Sequence, residues 1–152
     1  MALKDGTKAP EINLESTSGS TFSLKRDMAG KTCIVYFYPK DFTPGCTEEA
    51  CSFRDEFSEF RNLEIPVFGI SKDSVKTHLR FKAEHKLPFE LLSDPTGAVC
   101  KKYQALVPVI GLPKRITYLI DANGKIAASY QNMFGAANHI KEMIKILKDA
   151  NN

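Results

Sequence analysis

The most constraining stretch of this sequence is Cys33-Ile34-Val35-Tyr36-Phe37-Tyr38, an unbroken apolar, β-branched and aromatic run closed by Pro39. A strand with one wet face alternates polar and apolar side chains. An uninterrupted run is a strand covered on both faces, as in a parallel sheet flanked by helices. It is also far shorter than the ~20 residues a membrane span needs. The next segment changes period. Cys46, Ala50, Phe53, Phe57 and Phe60 recur at helical spacing and predict one helix from about Pro44 to Leu63 with a single buried stripe. Thr43 stands at its N-cap and Pro44 at the first helical position, where a missing N–H costs nothing.

The remaining pattern repeats this alternation. Glu11 to Leu14 and Thr21 to Leu24 flank a Ser/Gly-rich turn and predict an N-terminal hairpin. Val67 to Ser71 reads as a second buried strand, with a helix from Asp73-Ser74 to about Lys86. Glu90 to Ser93 is a short strand, followed by a helix from about Gly97 to Tyr103. Arg115 to Ile120 and Lys125 to Tyr130 flank Asp121-Ala122-Asn123-Gly124, whose Asn-Gly is a strong hairpin signal. Asn138 to Asp149 closes the chain as an amphipathic helix with Ile140, Met143, Ile144 and Leu147 facing inward. The sum is an α/β three-layer sandwich with a mixed central sheet, parallel in one half and antiparallel in the other.

The chain has 152 residues, which reads as one domain over 1–152. Its 21 basic and 18 acidic residues give a formal net charge of +3. That excess is too small and too evenly spread for a nucleic-acid binder. Met1-Ala2-Leu3-Lys4-Asp5 carries neither an apolar signal core nor an Arg/Ser-rich transit pattern, so the expectation is a cytoplasmic protein. An organelle stroma fits equally if the chain is trimmed from a longer precursor. The four cysteines, Cys33, Cys46, Cys51 and Cys100, include no Cys-x-x-Cys pair and are expected to be reduced thiols.

Chemistry in open α/β sheets collects at the carboxyl ends of strands, and the turn Pro39 to Cys46 lies at such an end. Cys46 falls near the third helical position, where unpaired N–H groups favour thiolate over thiol. Position alone serves a reactive thiol and a small buried hydrophobe equally well. Cys51 adds a second thiol five residues on. In a wound helix that separation leaves the two Cα atoms roughly 8–9 Å apart, beyond the ~7 Å a disulfide tolerates. The two cannot bond until a turn melts. Gly45, Thr47, Glu48, Glu49 and Ser52 make that fraying cheap. Such a pair suits a switch in which peroxide converts one thiol to sulfenic acid and the other captures it. A low pKa alone is not enough. Moving a thiol from ~8.5 to ~6 raises its thiolate fraction at pH 7 about 30-fold but costs about tenfold in nucleophilicity. Donors aimed at the breaking O–O bond must supply the rest. Thr43 through its hydroxyl, the N–H groups of Gly45 and Cys46, and a guanidinium fit that task.

Pro39-x-x-x-Thr43-x-x-Cys46 resembles the active-site signature of peroxiredoxins. Cys46-Thr47-Glu48-Glu49-Ala50-Cys51 resembles the bacterioferritin-comigratory and peroxiredoxin Q branch of that family. The segments Gly69 to Ser74, Leu91 to Asp94, Arg115 to Asp121, and Asn132-Met133-Phe134 leading to His139-Ile140 are similar to the same branch. The resemblance implies a thioredoxin-like fold with an N-terminal extension. It also implies thiol-dependent reduction of hydrogen peroxide and organic hydroperoxides. By resemblance Cys46 is the peroxidatic and Cys51 the resolving cysteine, joined as an intramolecular disulfide. Thr43 and Pro39 shape the peroxide pocket, Arg115 is the active-site arginine, and Glu49 orients it; Gly45 is expected to line the same pocket, and Phe42 to alter access to it or pack over it. A thioredoxin or glutaredoxin-like dithiol restores the pair. No cofactor or metal is implied, and the chain is expected to act as a monomer.

Two departures from that pattern stand out. Phe42 replaces a residue that is polar in many relatives, and Tyr103-Gln104 replaces a more usual aromatic-Gly pair. The loop Ala105 to Pro113 carries Leu106, Val107, Val109, Ile110 and Leu112, which suit a pocket rim, a docking patch, a dimer contact or plain packing. Cys33 and Cys100 read as packed hydrophobes, and His78, His85 and His139 as helix-surface residues without metal-ligand spacing. Lys141, Lys145 and Lys148 read as a solvated face. Two other functions share this pattern. One is a general disulfide oxidoreductase, which would want Cys-x-x-Cys; the other is a redox-responsive interaction protein that turns peroxide over slowly.

Overall fold

In the computed structural model, residues 2–131 and 136–150 are described, the side chains of 136–139 and 150 excepted. Among the described residues, seven strands form one sheet: β1 (Asn13–Ser16), β2 (Thr21–Ser23), β3 (Cys33–Phe37), β4 (Val67–Ser71), β5 (Glu90–Ser93), β6 (Ile116–Ile120) and β7 (Ile126–Gln131). Six helices accompany them: α1 (Leu24–Asp27), α2 (Pro44–Asp55), α3 (Phe57–Asn62), α4 (Val75–His85), α5 (Ala98–Lys102) and α6 (Ala136–Ala150). The strand order is β2-β1-β5-β4-β3-β6-β7. The pairs β3·β4 and β4·β5 are parallel, and every other pair is antiparallel. The parallel centre is thus flanked by antiparallel pairs on both sides. The N-terminal hairpin is no separate appendage, because β1 pairs with β5 and extends the sheet. No helix among the described residues is long and apolar enough to cross a membrane.

β3 shows why its sequence lacks polar alternation. Cys33, Val35 and Phe37 enter a core on one face with Phe22, Leu24, Val99, Cys100 and Tyr103. Ile34, Tyr36 and Tyr38 enter a core on the other with Ala50, Phe53, Phe60, Phe81 and Ile140. Both faces are covered, as the continuous run requires. The inward set expected for the last helix holds, since Ile140, Met143, Ile144 and Leu147 are all buried. Lys141, Lys145 and Lys148 are exposed, with Lys148 paired to Glu59.

One boundary differs from the sequence expectation. The helix predicted from Pro44 to Leu63 breaks at Glu56, whose backbone relaxes to φ −100° and ψ 7°. The apolar stripe continues across the break through Phe57 and Phe60, so periodicity registers no interruption. Asn132, Met133 and Phe134 and the His139 side chain lie outside the described residues. In the 105–113 loop, Ala105 is buried and Leu106 packs against the core. Val109, Ile110 and Leu112 are exposed, so packing on the sheet does not account for the loop's tip. Gln104 adopts φ +56°, the left-handed conformation in which glycine is unstrained, so the Gln holds a backbone geometry that favours glycine.

Gly69, in the middle of β4, lets the sheet accept the large rings above it. A Cβ there would stand 2.8 Å from Leu91 Cδ2 and 2.8 Å from Tyr36 Cζ. Gly69→Ala is therefore expected to lower unfolding stability by about 1–3 kcal/mol through overpacking, read as a shifted urea midpoint. An unchanged midpoint would show that the aromatic layer has slack.

Candidate active site

The turn leaving β3 carries Tyr38 to Thr43 into the first turn of α2, with Pro44, Gly45 and Cys46 as its first three residues. Thr43 occupies the N-cap position, but its side chain makes no cap hydrogen bond. Its hydroxyl donates instead to the Lys40 carbonyl at 2.7 Å. The hydroxyl hydrogen expected to be aimed at the breaking O–O bond is thus on the Lys40 carbonyl. With its hydrogen engaged, Oγ1 is left to accept. Pro39 is half-buried and Gly45 exposed on either side of this turn.

Arg115 reaches the same place from the far side of β3. β6 runs antiparallel to β3 with Ile116 opposite Phe37, so the residue before β6 lies at the carboxyl end of β3. The Arg115 side chain is only 10% exposed. Its Nη2 donates to Cys46 Sγ at 3.4 Å, and its Nη1 to Glu49 Oε1 at 2.7 Å. A longer contact of 3.5 Å joins Nη1 to the Gly45 carbonyl. Gly45 makes room for this approach, because a Cβ there would lie 3.1 Å from Nη2. A permanent positive charge thus rests against the Cys46 sulfur, which is itself almost wholly buried. Glu49 is buried as well, and burial pushes its carboxyl up to about 7 against the pull of Arg115.

All four cysteines are free thiols. Cys51 lies half-buried on the same helix as Cys46, with its Sγ 3.9 Å from His85 Nδ1 of α4. Cys33 and Cys100 are sealed in the core across the sheet. Burial pushes Cys33 up to about 12 and raises Cys100 as well, with Asp94 adding to the effect. Both are packed hydrophobes, as their sequence context predicts. Phe42 holds φ +65°, a costly conformation for an aromatic residue. Its ring packs edge-on to Phe81 at 5.2 Å and lies beneath Arg80. Phe42 therefore faces α4, and its described ring contacts are all with that helix.

The histidines are the main correction. His78 is completely buried, not on a helix surface. Its Nε2 meets the Leu92 carbonyl at 2.9 Å and must donate, since a carbonyl can only accept. Its Nδ1 stands 2.5 Å from Asp41 Oδ2, and Tyr38 donates to Asp41 Oδ1 at 2.5 Å. The Asp41 backbone N–H donates to Asp73, which also accepts from Ser71. Ligand atoms of Asp41, Asp73 and His78 lie within 4.8 Å of one another, yet these hydrogen bonds already engage each of them. The network pins the turn before α2 to β4, β5 and α4. The available signal was the helical spacing of His78, Phe81 and His85, which places two histidines on the inward stripe of α4.

Residues 6–129 match the AhpC/TSA family. A putative chloroplastic peroxiredoxin Q of Oryza sativa subsp. indica is 42% identical over 147 residues, covering 96% of this chain and 67% of that protein. A putative peroxiredoxin bcp of Coxiella burnetii is 43% identical over 150 residues, covering 95% of this chain and 98% of that one. Among solved structures, the peroxidoxin BcpB of Mycobacterium tuberculosis superimposes with a TM-score of 0.89 at 29% identity over 97% of both chains. The bacterioferritin comigratory protein of Xanthomonas campestris, described in connection with alkyl peroxide reduction, gives a TM-score of 0.84 at 29% identity. That likeness covers 93% of this chain and 92% of that one.

Glu49 supplies a pH test of the site. Its raised pKa means that the folded protein binds this proton more tightly than the unfolded chain does. Its contribution to stability is full below its ordinary value of 4.5 and is lost as pH climbs through about 7. Glu49→Gln removes the effect. On moving from about pH 8 to about pH 5, the melting temperature of the native protein is expected to rise relative to that variant. The opposite trend would mean that the ion pair with Arg115 outweighs burial.

Proposed function

Since the chain belongs to the AhpC/TSA family and is a thiol-dependent peroxidase of the peroxiredoxin Q and bcp kind, we propose that Cys46 is its peroxidatic thiol, Cys51 its resolving thiol and Arg115 the group that activates the peroxide. The observation that carries this reading is the 3.4 Å contact of Arg115 Nη2 with Cys46 Sγ at the first turn of α2. A guanidinium held by Glu49 on one nitrogen presents the other to the sulfur and to whatever oxygen approaches it. Charge then develops on the leaving oxygen beside a fixed cation, and no group has to reorganise at that moment.

The Cys46 thiolate attacks the terminal peroxide oxygen. The O–O bond breaks, the leaving alkoxide or hydroxide takes a proton, and Cys46 becomes sulfenic acid. Thr43 Oγ1, with its own hydrogen on Lys40, accepts from the hydroperoxide O–H and orients it. The first turn of α2 then opens. The Cys51 thiolate attacks the Cys46 sulfur, the S–O bond breaks and water leaves. A thioredoxin-type dithiol reduces the bridge by exchange. Pro39 and Gly45 border the approach, Phe42 packs the preceding turn against α4, and Glu49 positions Arg115. The resolving thiol lies on the same chain, so the chemistry requires no second copy, and we read residues 1–152 as one domain acting as a monomer. A reducing compartment, bacterial cytoplasm or plastid stroma, suits a reservoir of free thiols.

Steady-state peroxide consumption with a thioredoxin system tests these roles. Cys46→Ser is expected to abolish turnover. Cys51→Ser is expected to lose thioredoxin-driven turnover while still forming one equivalent of sulfenic acid. Full activity in Cys46→Ser would overturn the reading.

A further inference from the structure

We propose that His85 is the general base that activates Cys51 for resolution, an inference that rests on the role of Cys51 given above. The imidazole Nδ1 lies 3.9 Å from Cys51 Sγ, within reach for a sulfur hydrogen bond, so His85 touches a reacting atom. The ring is held in place. Phe81 packs edge-on against it at 5.0 Å, and Phe42 lies at 6.5 Å on another side. The backbone is held too, since Arg54 Nη1 donates to the His85 carbonyl at 2.8 Å. Cys51 and Arg54 are one turn apart on α2, so a single helix face delivers both a thiol to the imidazole and a clamp to its backbone. This also gives a reason for the strained Phe42: its ring closes the aromatic wall in which the imidazole sits.

The proton balance is simple. His85 Nδ1 takes the Cys51 S–H proton, and the thiolate attacks the sulfur of the Cys46 sulfenic acid. The S–O bond breaks, and the departing hydroxide takes a proton from the imidazolium, directly or through solvent, to leave as water. No further oxidant or reductant is needed. Opening of α2 from its Pro44–Cys46 end brings Cys46 toward Cys51 while Cys51, in the middle of the helix, stays against α4. Among the described residues, the charged groups with contacts around this pair are Arg54 from α2, which donates to the His85 carbonyl and pairs with Asp55, and Arg80 from α4, which lies over the neighbouring Phe42 ring.

The chain has no tryptophan, so the test is rapid-quench intact mass after one equivalent of peroxide, which separates sulfenic acid from disulfide. In His85→Asn and His85→Gln the first step, oxidation of Cys46, is expected at the native rate, which also reports correct folding. Disulfide formation is expected to slow by roughly 10- to 30-fold at pH 7, the ceiling set by the ~3% of an ordinary thiol ionised there. The deficit should close as pH rises past about 8.5, where a thiol ionises unaided. Native-rate resolution at pH 7, or a deficit that persists unchanged at high pH, would overturn the proposal. If a variant is unfolded, alkylation of Cys51 in folded Cys46→Ser decides instead. A rate that rises only as an ordinary thiol ionises contradicts the proposal, and faster reaction at neutral pH supports it. Failure of the underlying assignment looks different: Cys51→Ser would then still form a disulfide.

Discussion

One guanidinium joins the two halves of the site. Arg115 stands at the start of β6 and reaches across the carboxyl end of β3 to the first turns of α2, with one nitrogen on Glu49 and the other on Cys46. The reach exists because β6 is antiparallel to β3, whereas the strand on the other side of β3 is parallel. A parallel neighbour in that position would present its carboxyl end there, and the residue before the strand would lie at the opposite edge of the sheet. The mixed sheet is therefore what allows an arginine from late in the chain to meet a cysteine from early in it.

The same contact poses a conflict that the structure resolves by position. On the roles proposed for Cys46, Cys51 and Arg115, peroxide reduction wants α2 wound and Arg115 seated, whereas disulfide formation wants the first turn of α2 undone. Glu49 and Arg115 fasten the turn that has to open. The Asp41–His78 network, by contrast, fastens the preceding turn to β4, β5 and α4, so opening can be confined to α2 itself. A buried carboxyl whose pKa lies near 7 makes that latch a modest one at neutral pH. A stronger ion pair would favour the first step at the expense of the second.

Much of the frame was legible because burial writes itself into periodicity. Val67–Ser71 and Glu90–Ser93 are predicted and observed with the same ends, and Asn123-Gly124 marks the β6–β7 hairpin. The break at Glu56 was not legible, since Phe57 and Phe60 continue the stripe through it. Cys46 and Cys51 were readable from spacing as a pair that a wound helix keeps apart. Arg115 was not readable from pattern, because a charge at a strand start looks alike whether it points to water or into a pocket; only family resemblance singled it out. His78, which is fully buried, and His85 were placed on a helix surface because a polar residue on an inward helical stripe is discounted. Thr43 was placed correctly in the chain, but its hydrogen-bond direction depended on the Lys40 carbonyl, which only coordinates reveal.

The central claim is that Arg115 acts on the breaking O–O bond and not merely on the charge of the sulfur. The most direct measurement compares Arg115→Met with the native chain in two reactions of Cys46, single-turnover oxidation by hydroperoxide and alkylation by iodoacetamide, which has no O–O bond. The account predicts that peroxide oxidation falls by about 10²–10³-fold, the usual cost of removing one such donor, while alkylation falls far less. Equal losses in the two reactions, or peroxide oxidation at close to the native rate, would contradict it.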